Sequence, residues 1–540
     1  MNKFQKIILV LLISLACILR FPQLDKVPPS LHADEAAEGF NAYSLLTTGK
    51  DMYGKSFPLL FRANGSYQPP IYTYISIIPT AIFGNSMITI RLLSALSGVI
   101  LVYLTYLVVS RCGPSSKKER VIMGLIASGV VAISPWAIHF SRLAAEANLG
   151  VLVFALGVLL VIKSLSRISL FPLATFILGF STHTYYTERV VVVLLLVWIL
   201  IWYRKYFLKN LKTSVFGLIV FGLTLLPHLY LLTTGALTKR LAQVSYLGVA
   251  SQGKEGFLSN HWNMISQFLN HYLIYYSPKN LFFDPGTKLG ITTTDIGVFY
   301  PWLLIPLLIG LGYLVKNRKN DLVKFIFVLL MIAPIPAGLT GDLFYPLRTL
   351  DYLWILTLVI SFGCYVLIKA IKNNILKVLV IIGLATYSLL AFGISYFVLF
   401  KYEETSTSGE AYIRLIPKLE EYKDKRIIVD YSSRAWGVGI RTAYLAKADP
   451  RTIQDILISQ QKTTYYSGDV NAQEIFIVRN TTFEPLNWNK VCGKDVIFVG
   501  DMWSFDPTTL GEHGLKLEFT VDDYLNQPVL FGYSSNMICK

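Results

Sequence analysis

Eleven runs of predominantly apolar residues recur along the chain, at roughly 6–24, 86–110, 121–138, 147–166, 168–183, 189–203, 214–233, 297–315, 322–338, 349–368 and 376–400. Most approach the ~20 residues that an α-helix needs to cross the hydrocarbon core of a bilayer. The fourth to sixth are closely spaced and the fifth is short, so a re-entrant segment fits there. The first run has the charged start of a signal peptide but lacks a small-residue cleavage site, and it reads as an uncleaved helix. The pattern predicts an α-helical integral membrane protein of about eleven spans.

Two stretches break the pattern. Between about 25 and 85 lies a loop too long for a simple connector, with an amphipathic run at Ala37–Leu46 and an aromatic segment, Gln68-Pro69-Pro70-Ile71-Tyr72-Thr73-Tyr74, suited to the membrane interface. From about 401 the hydrophobicity falls sharply. Short β-type runs (Arg426–Asp430, Glu474–Val478, Asp495–Val499, Leu515–Val521) then alternate with helix-like stretches such as Ala411–Tyr422. The expected organisation is a membrane portion over 1–400, with its first loop at 25–85, and a small soluble α/β domain over 401–540.

Composition agrees: 54% of the 540 residues are hydrophobic and 15% charged, against ~25% charged in soluble proteins. The net charge of +16 is not gathered into a patch, so it does not point to nucleic acid. Basic residues instead mark alternate loops: Lys3 and Lys6; Lys117, Lys118 and Arg120; Lys163 and Arg167; Arg204, Lys205, Lys209 and Lys212; Lys316, Arg318 and Lys319; Lys369 and Lys372. Under the positive-inside rule this makes the N-terminus cytoplasmic. The first loop, the 234–296 loop and the tail then lie on the external face of the cell membrane.

Of the five cysteines, Cys17 and Cys364 fall in spans and Cys112 at a cytoplasmic edge. Cys492 and Cys539 belong to the tail, where a disulfide between them is compatible with an oxidising exterior. Their spacing does not support metal ligation. Sequons at Asn64 and Asn480 are external, but such motifs are common by chance.

Polar residues gather at the external ends of the spans. The first loop carries Asp34, Glu35 and Glu38. Arg91 opens the second span, Arg142 and Glu146 occupy the next external turn, and His183 to Arg189 another. The large loop adds Lys239, Arg240, His271 and a Tyr275–Pro278 segment, and Arg348 follows later. Carboxylates and guanidinium groups at an outer headgroup layer suit glycosyl transfer from a lipid phosphate. The leaving phosphate needs cationic stabilisation, and the attacking hydroxyl needs a general base. Each residue also has an ordinary structural reading. Asp34 is in place for a helix N-cap, and Glu35 for a solvated neighbour. Arg91 and Arg348 could be snorkelling anchors, Glu146 could pair with Arg142 at i, i+4, and Lys239 and Arg240 suit headgroup contacts.

The segments His32-Ala33-Asp34-Glu35-Ala36, Gly49-Lys50-Asp51-Met52-Tyr53-Gly54, Phe57-Pro58-Leu59 and Gln68-Pro69-Pro70 resemble the first external loop of GT-C glycosyltransferases. The group most resembled is the protein O-mannosyltransferase and aminoarabinose-transferase type, which uses polyprenyl-phosphate sugars. Arg91 to Gly98 resembles that family's Arg-led second span, and Ser141 to Asn148 its second external turn. The similarity covers roughly residues 1–400.

The resemblance implies Asp34 as catalytic base with Glu35 beside it, and Glu146 as a second acid in the cavity. It implies Arg91, Arg142, Arg189 and Arg348 as holders of the lipid phosphate. It further implies a polyprenyl-phosphate sugar donor, contact with membrane lipid, and a lipid, glycan or protein acceptor. No cofactor is expected. Metal use varies in the superfamily, which leaves room for a divalent ion, although the first loop offers no clear His/carboxylate triad. The tail departs from the protein mannosyltransferases, since no external loop carries a β-trefoil-like repeat, and is more similar to bacterial enzymes with a small external C-terminal domain, which weighs against a protein acceptor.

Other classes compete. A transporter or lipid-linked-saccharide flippase would favour internal repeats and charges in mid-span, and the sequence has neither. A polymerase or ligase of lipid-linked glycans would share the architecture and differ in acceptor. A scaffold binding a partner through its tail leaves the clustered carboxylates and arginines unexplained.

Overall fold

The computed structural model describes residues 1–246, 257–284, 295–403, 409–431, 437–470, 474–486, 495–505 and 507–535, and all eleven apolar runs fall on helices. Among the described residues, six of these helices are long and apolar enough to cross a membrane: Met87–Cys112, Glu146–Ser164, Leu211–Thr233, Asp321–Gly338, Pro346–Ala370 and Asn374–Glu403. A seventh is a broken pair, Lys117–Ile133 and Pro135–Ser141, bent by 58°. The break has a local cause. Pro135 has no N–H to donate to the preceding turn, and Ser134 before it takes an extended conformation. Ile168–Ser181 and Pro301–Lys316 are apolar but shorter.

The chain divides into two compact units. One comprises Met1–Pro22 and Arg91–Phe397; the other comprises Gln23–Ile90 and Val398–Lys540. The first loop therefore folds with the tail, a grouping that chain order does not reveal.

In the helical unit, two buried arginines fasten broken helix ends. Arg20 closes the helix Lys3–Arg20, and its guanidinium donates to the carbonyls of Ala132 at 3.0 Å and Val131 at 3.1 Å. Those carbonyls end the Lys117–Ile133 helix, where backbone acceptors lack partners and the helix dipole is negative. Arg142 returns the arrangement: it donates to the carbonyls of Leu19 at 3.2 Å, Arg20 at 3.1 Å and Pro22 at 2.7 Å, and its plane faces Phe397. Close backbone approach holds other helices together. A Cβ on Gly363 would overlap the carbonyl of Pro306, and one on Gly310 that of Val359, so the Leu304–Lys316 and Leu350–Ala370 helices meet through small residues.

The second unit contains the first loop and the tail domain. Ala33–Thr48 forms a helix that ends on Gly49 at φ 73°, a left-handed cap that glycine adopts without a Cβ penalty. Two short strands, β1 (Phe61–Ala63) and β2 (Ser66–Gln68), pair antiparallel. Pro69 and Pro70 then start the apolar helix Pro70–Phe83. The segment read as interfacial aromatic is thus the β2-to-helix junction.

The tail builds a six-stranded mixed sheet from β3 (Arg426–Asp430), β4 (Phe476–Val478), β5 (Thr481–Glu484), β6 (Val496–Gly500), β7 (Leu515–Asp522) and β8 (Pro528–Ser535). The spatial order is β4-β5-β3-β6-β8-β7. Strand β3 is parallel to β5 and β6, and the remaining pairs are antiparallel. Central strand β6 is buried along its whole length, which explains its unbroken apolar reading. The amphipathic helix Glu410–Glu421 packs on β7 and β8. The α/β expectation for the tail holds. Cys492 and Cys539 lie outside the described residues; Cys17, Cys112 and Cys364 are free thiols. Both sequon asparagines spend their amides inside the unit. Asn480 donates to the carbonyl of Lys425 at 2.6 Å, and Asn64 donates to Asp34.

Candidate active site

In the second unit, the first-loop helix opens with a capping box. The Asp34 N–H donates to His32 Nδ1, and the His32 N–H donates to Glu35 Oε2 at 2.9 Å. His32 is therefore the N-cap, a role the sequence had offered to Asp34. Glu35 is buried and bound to its own helix start, whereas the Asp34 side chain keeps 39% of its surface exposed. Asn64, in the β1–β2 turn, donates its amide to Asp34 Oδ1 at 3.0 Å, and Gln68 on β2 donates to the Asp34 carbonyl at 3.1 Å. His32 Nδ1 lies 3.6 Å from Asp34 Oδ2. The result is an accessible carboxylate oriented from two sides at a helix N-terminus.

Further along the loop, Asp51 accepts from the N–H groups of Tyr53 (3.0 Å) and Lys55 (2.8 Å) and from the Tyr465 hydroxyl. Tyr53 donates its hydroxyl to Glu474 at 2.5 Å. Buried Arg62 lies over the Tyr53 ring at 5.1 Å, and its Nε and Nη1 have no hydrogen-bond partner among the described residues. Burial pushes Asp51 up to about 6 and Glu474 up to about 7, despite the hydrogen bonds and the Arg62 charge that pull them down. The sequence reading quoted Asp51 and Tyr53 as motif residues and did not connect them with the tail.

In the helical unit, Arg91 is fully buried on the Met87–Cys112 helix. Glu146 starts the Glu146–Ser164 helix. The charges of Arg348, Glu146 and Arg240 all bear on the buried hydroxyl of Tyr185, so these distant sequence positions converge. Arg348 bonds to Asp342 at 2.8 Å and to the Thr340 hydroxyl at 2.7 Å, with its plane 4.4 Å from the Tyr345 ring. Arg189 stands 4.5 Å over Tyr186 and donates to the Thr182 carbonyl at 3.3 Å. Its Nη2 has no partner among the described residues. Arg142 stands apart, because its guanidinium is taken up by the helix-end carbonyls described above.

Sequence reasoning missed a buried acid pair, Glu188 and Asp351, which interact electrostatically. Both Asp351 oxygens lack a hydrogen-bond partner among the described residues. Each residue opens an apolar helix, and that position was the available signal. No group of three or more His, Cys, Asp or Glu side chains is placed to hold a metal among the described residues.

The fold that carries this geometry is shared with solved structures over nearly the whole chain. The family described as dolichyl-phosphate-mannose-protein mannosyltransferase matches residues 67–231. The structure is similar to ArnT from Cupriavidus metallidurans bound to undecaprenyl phosphate, with 13% identity, TM-score 0.57, and coverage of 98% of this chain and 99% of that one. The apo form of the same ArnT gives 12% identity and TM-score 0.54, over 97% of each chain. The archaeal oligosaccharyltransferase AglB from Archaeoglobus fulgidus, in complex with an inhibitory peptide and a dolichol-phosphate, has 11% identity and TM-score 0.49 over 99% of this chain and 74% of that one. No curated protein matches in sequence. The GT-C resemblance read from the first loop is thus met by a family match and by a shared fold over nearly the whole chain.

Proposed function

We propose that this protein is an inverting glycosyltransferase that moves a sugar from a polyprenyl-phosphate carrier to an acceptor hydroxyl on the extracytoplasmic face of the cell membrane. The observation that carries the reading is Asp34: a half-exposed carboxylate, held by Asn64 and flanked by His32, at the start of the first-loop helix. Asp34 takes the proton of the acceptor hydroxyl as it attacks the anomeric carbon. The bond from that carbon to the phosphate oxygen breaks, and the polyprenyl phosphate leaves as an anion that needs no proton at neutral pH. A single base and one displacement give inversion. Glu35 holds the helix start beneath the base, and Glu146 is assigned as a second acid of the reaction.

Arg91, Arg189 and Arg348 are assigned to the departing phosphate, where guanidinium groups stabilise developing charge. Arg142 belongs to the same sequence motif, but its hydrogen bonds support the helix ends first. In this reading residues 1–400 are the membrane transferase portion with a cytoplasmic N-terminus, and the catalytic loop and the 401–540 domain lie outside; the basic residues of alternate loops support it. The similar ArnT structure is bound to undecaprenyl phosphate, and this supports the donor class. The test is reconstitution in proteoliposomes with undecaprenyl-phosphate donors tritiated in mannose, glucose or aminoarabinose. Release of undecaprenyl phosphate with an inverted sugar product is expected for at least one donor. No turnover of any donor, over a panel of protein, lipid and glycan acceptors, would contradict the proposal.

A further inference from the structure

The β1–β2 hairpin links Asp34 to the tail domain, and every link is a hydrogen bond. The hairpin turns on Asn64-Gly65, at φ 51° and 70°, a pair that two-residue turns favour because both central positions need a positive φ. From this turn Asn64 donates to Asp34 Oδ1 at 3.0 Å, and from the end of β2 Gln68 donates to the Asp34 carbonyl at 3.1 Å. Behind the turn, Arg62 and Tyr67 are cross-strand partners. One segment of the tail domain, Tyr465-Tyr466-Ser467, grips both. The Tyr67 hydroxyl donates to the Tyr465 carbonyl at 2.6 Å and accepts from the Ser467 N–H at 2.8 Å. The Arg62 N–H donates to the Tyr465 hydroxyl at 3.1 Å. Just ahead of β1, the Leu59 N–H donates to the Tyr466 hydroxyl at 2.6 Å.

We infer that the Tyr465-Tyr466-Ser467 segment is a positioning element of the transferase: through Tyr67 and Arg62 it holds the hairpin whose Asn64 and Gln68 aim Asp34. This rests on the proposed role of Asp34 as base, and it gives the tail domain a task in the reaction. β1 and β2 form a sheet of two, each strand three residues long. Such a hairpin is marginally stable by itself, so its place is fixed by what packs and bonds around it. Both strands are buried along their length, and the buried Tyr67 hydroxyl is where β2 meets the tail. On the other strand, the residue two before Asn64 meets the Tyr465 hydroxyl. The tail segment thus fixes both arms of the hairpin next to the turn that touches the base. A catalytic group displaced by ~1 Å can lose about a hundredfold in rate. The arginines assigned to the donor phosphate belong to the helical unit, so a loosened hairpin should lower kcat and leave the donor KM in place.

The test is a double-mutant cycle on kcat, with the tritiated undecaprenyl-phosphate donor that the reconstituted wild type consumes. Asn64→Ala frees Asp34 Oδ1 directly and should lower kcat about tenfold, with the donor KM unchanged. Tyr67→Phe keeps the ring, removes the hydroxyl held by Tyr465 and Ser467, and should lower kcat severalfold in the same manner. In the Asn64→Ala background Tyr67→Phe should add little, because the contact it serves is already gone. A hydroxyl that only stabilised the fold would cost the same in both backgrounds. Tyr465→Phe removes the acceptor for the Arg62 N–H and should repeat the pattern, which keeps the inference testable if the Tyr67→Phe protein does not fold. Wild-type kcat in the folded Tyr67→Phe and Tyr465→Phe proteins, or losses that multiply with that of Asn64→Ala, would overturn the inference; an inactive Asp34→Asn protein would then leave the base assignment standing. If Asp34→Asn transfers sugar like wild type, the base assignment fails and takes the inference with it.

Discussion

Burying Asp51 and Glu474 makes the second unit sensitive to alkali, and the sign can be worked out from the structure. Both carboxyls are more than nine-tenths buried. Desolvation raises Asp51 from the ordinary 3.8 to about 6 and Glu474 from 4.5 to about 7. Each therefore holds its proton more tightly folded than unfolded. The contribution to stability is fully present below the unfolded values, near pH ~4, and is lost as pH rises through the folded ones. At ~1.4 kcal/mol per pH unit, the two together amount to ~4 kcal/mol between pH ~5 and pH ~7.5, with Glu474 supplying about two thirds.

Glu474→Gln mimics the protonated acid and can still meet the Tyr53 hydroxyl, so it should remove most of the slope; Asp51→Asn should remove the rest. The assay is amide hydrogen exchange of the intact protein in detergent. Opening free energies would be followed in the Asp51–Arg62 and Tyr465–Val478 segments after correction for the intrinsic pH dependence of exchange. A flat opening free energy over this range, or one that rises with pH, would refute the reasoning.

Two further predictions follow from the helical unit. Arg142→Met strips three donors from buried helix-end carbonyls and should cost ~3 kcal/mol or more, read as a lowered melting temperature with an unchanged donor KM in the surviving folded fraction; a raised KM without lost stability would instead make Arg142 a phosphate ligand. Gly363→Ala places a methyl where the Pro306 carbonyl lies and should lower the yield of monodisperse protein more than Gly312→Ala, whose Cβ meets nothing within 4 Å.

Much of this molecule could be read from sequence, for reasons particular to each part. The apolar runs declared themselves because membrane helices need long continuous hydrophobicity, and each run is helical. Their lengths proved uneven: Ile168–Ser181 and Pro301–Lys316 are apolar but short. The Asp34 helix was visible in its amphipathic run, yet His32 rather than Asp34 takes the N-cap, a choice made by side-chain geometry.

The contacts of Arg142 and of the Val438–Leu445 helix could not be read in the same way. Arg142 finds its carbonyls some 120 residues earlier in the chain. The helix Val438–Leu445 meets a helix about 400 residues away, through Gly39 and Gly437, which have no motif of their own. Asp51 and Glu474 follow the same rule: a buried network joins residues that neither periodicity nor spacing relates.

The central claim concerns Asp34 and is tested most directly by single-turnover transfer from a tritiated undecaprenyl-phosphate sugar in proteoliposomes, wild type against Asp34→Asn. The exchange keeps the side chain's size and one acceptor for Asn64 while removing the base, and loss of a general base costs roughly a hundredfold or more. The account predicts a folded Asp34→Asn protein slowed by at least that factor, and a Glu35→Gln protein that loses stability at its capping box while retaining most of its rate. Equal turnover by wild type and Asp34→Asn would contradict it and move the search for the base to Glu146.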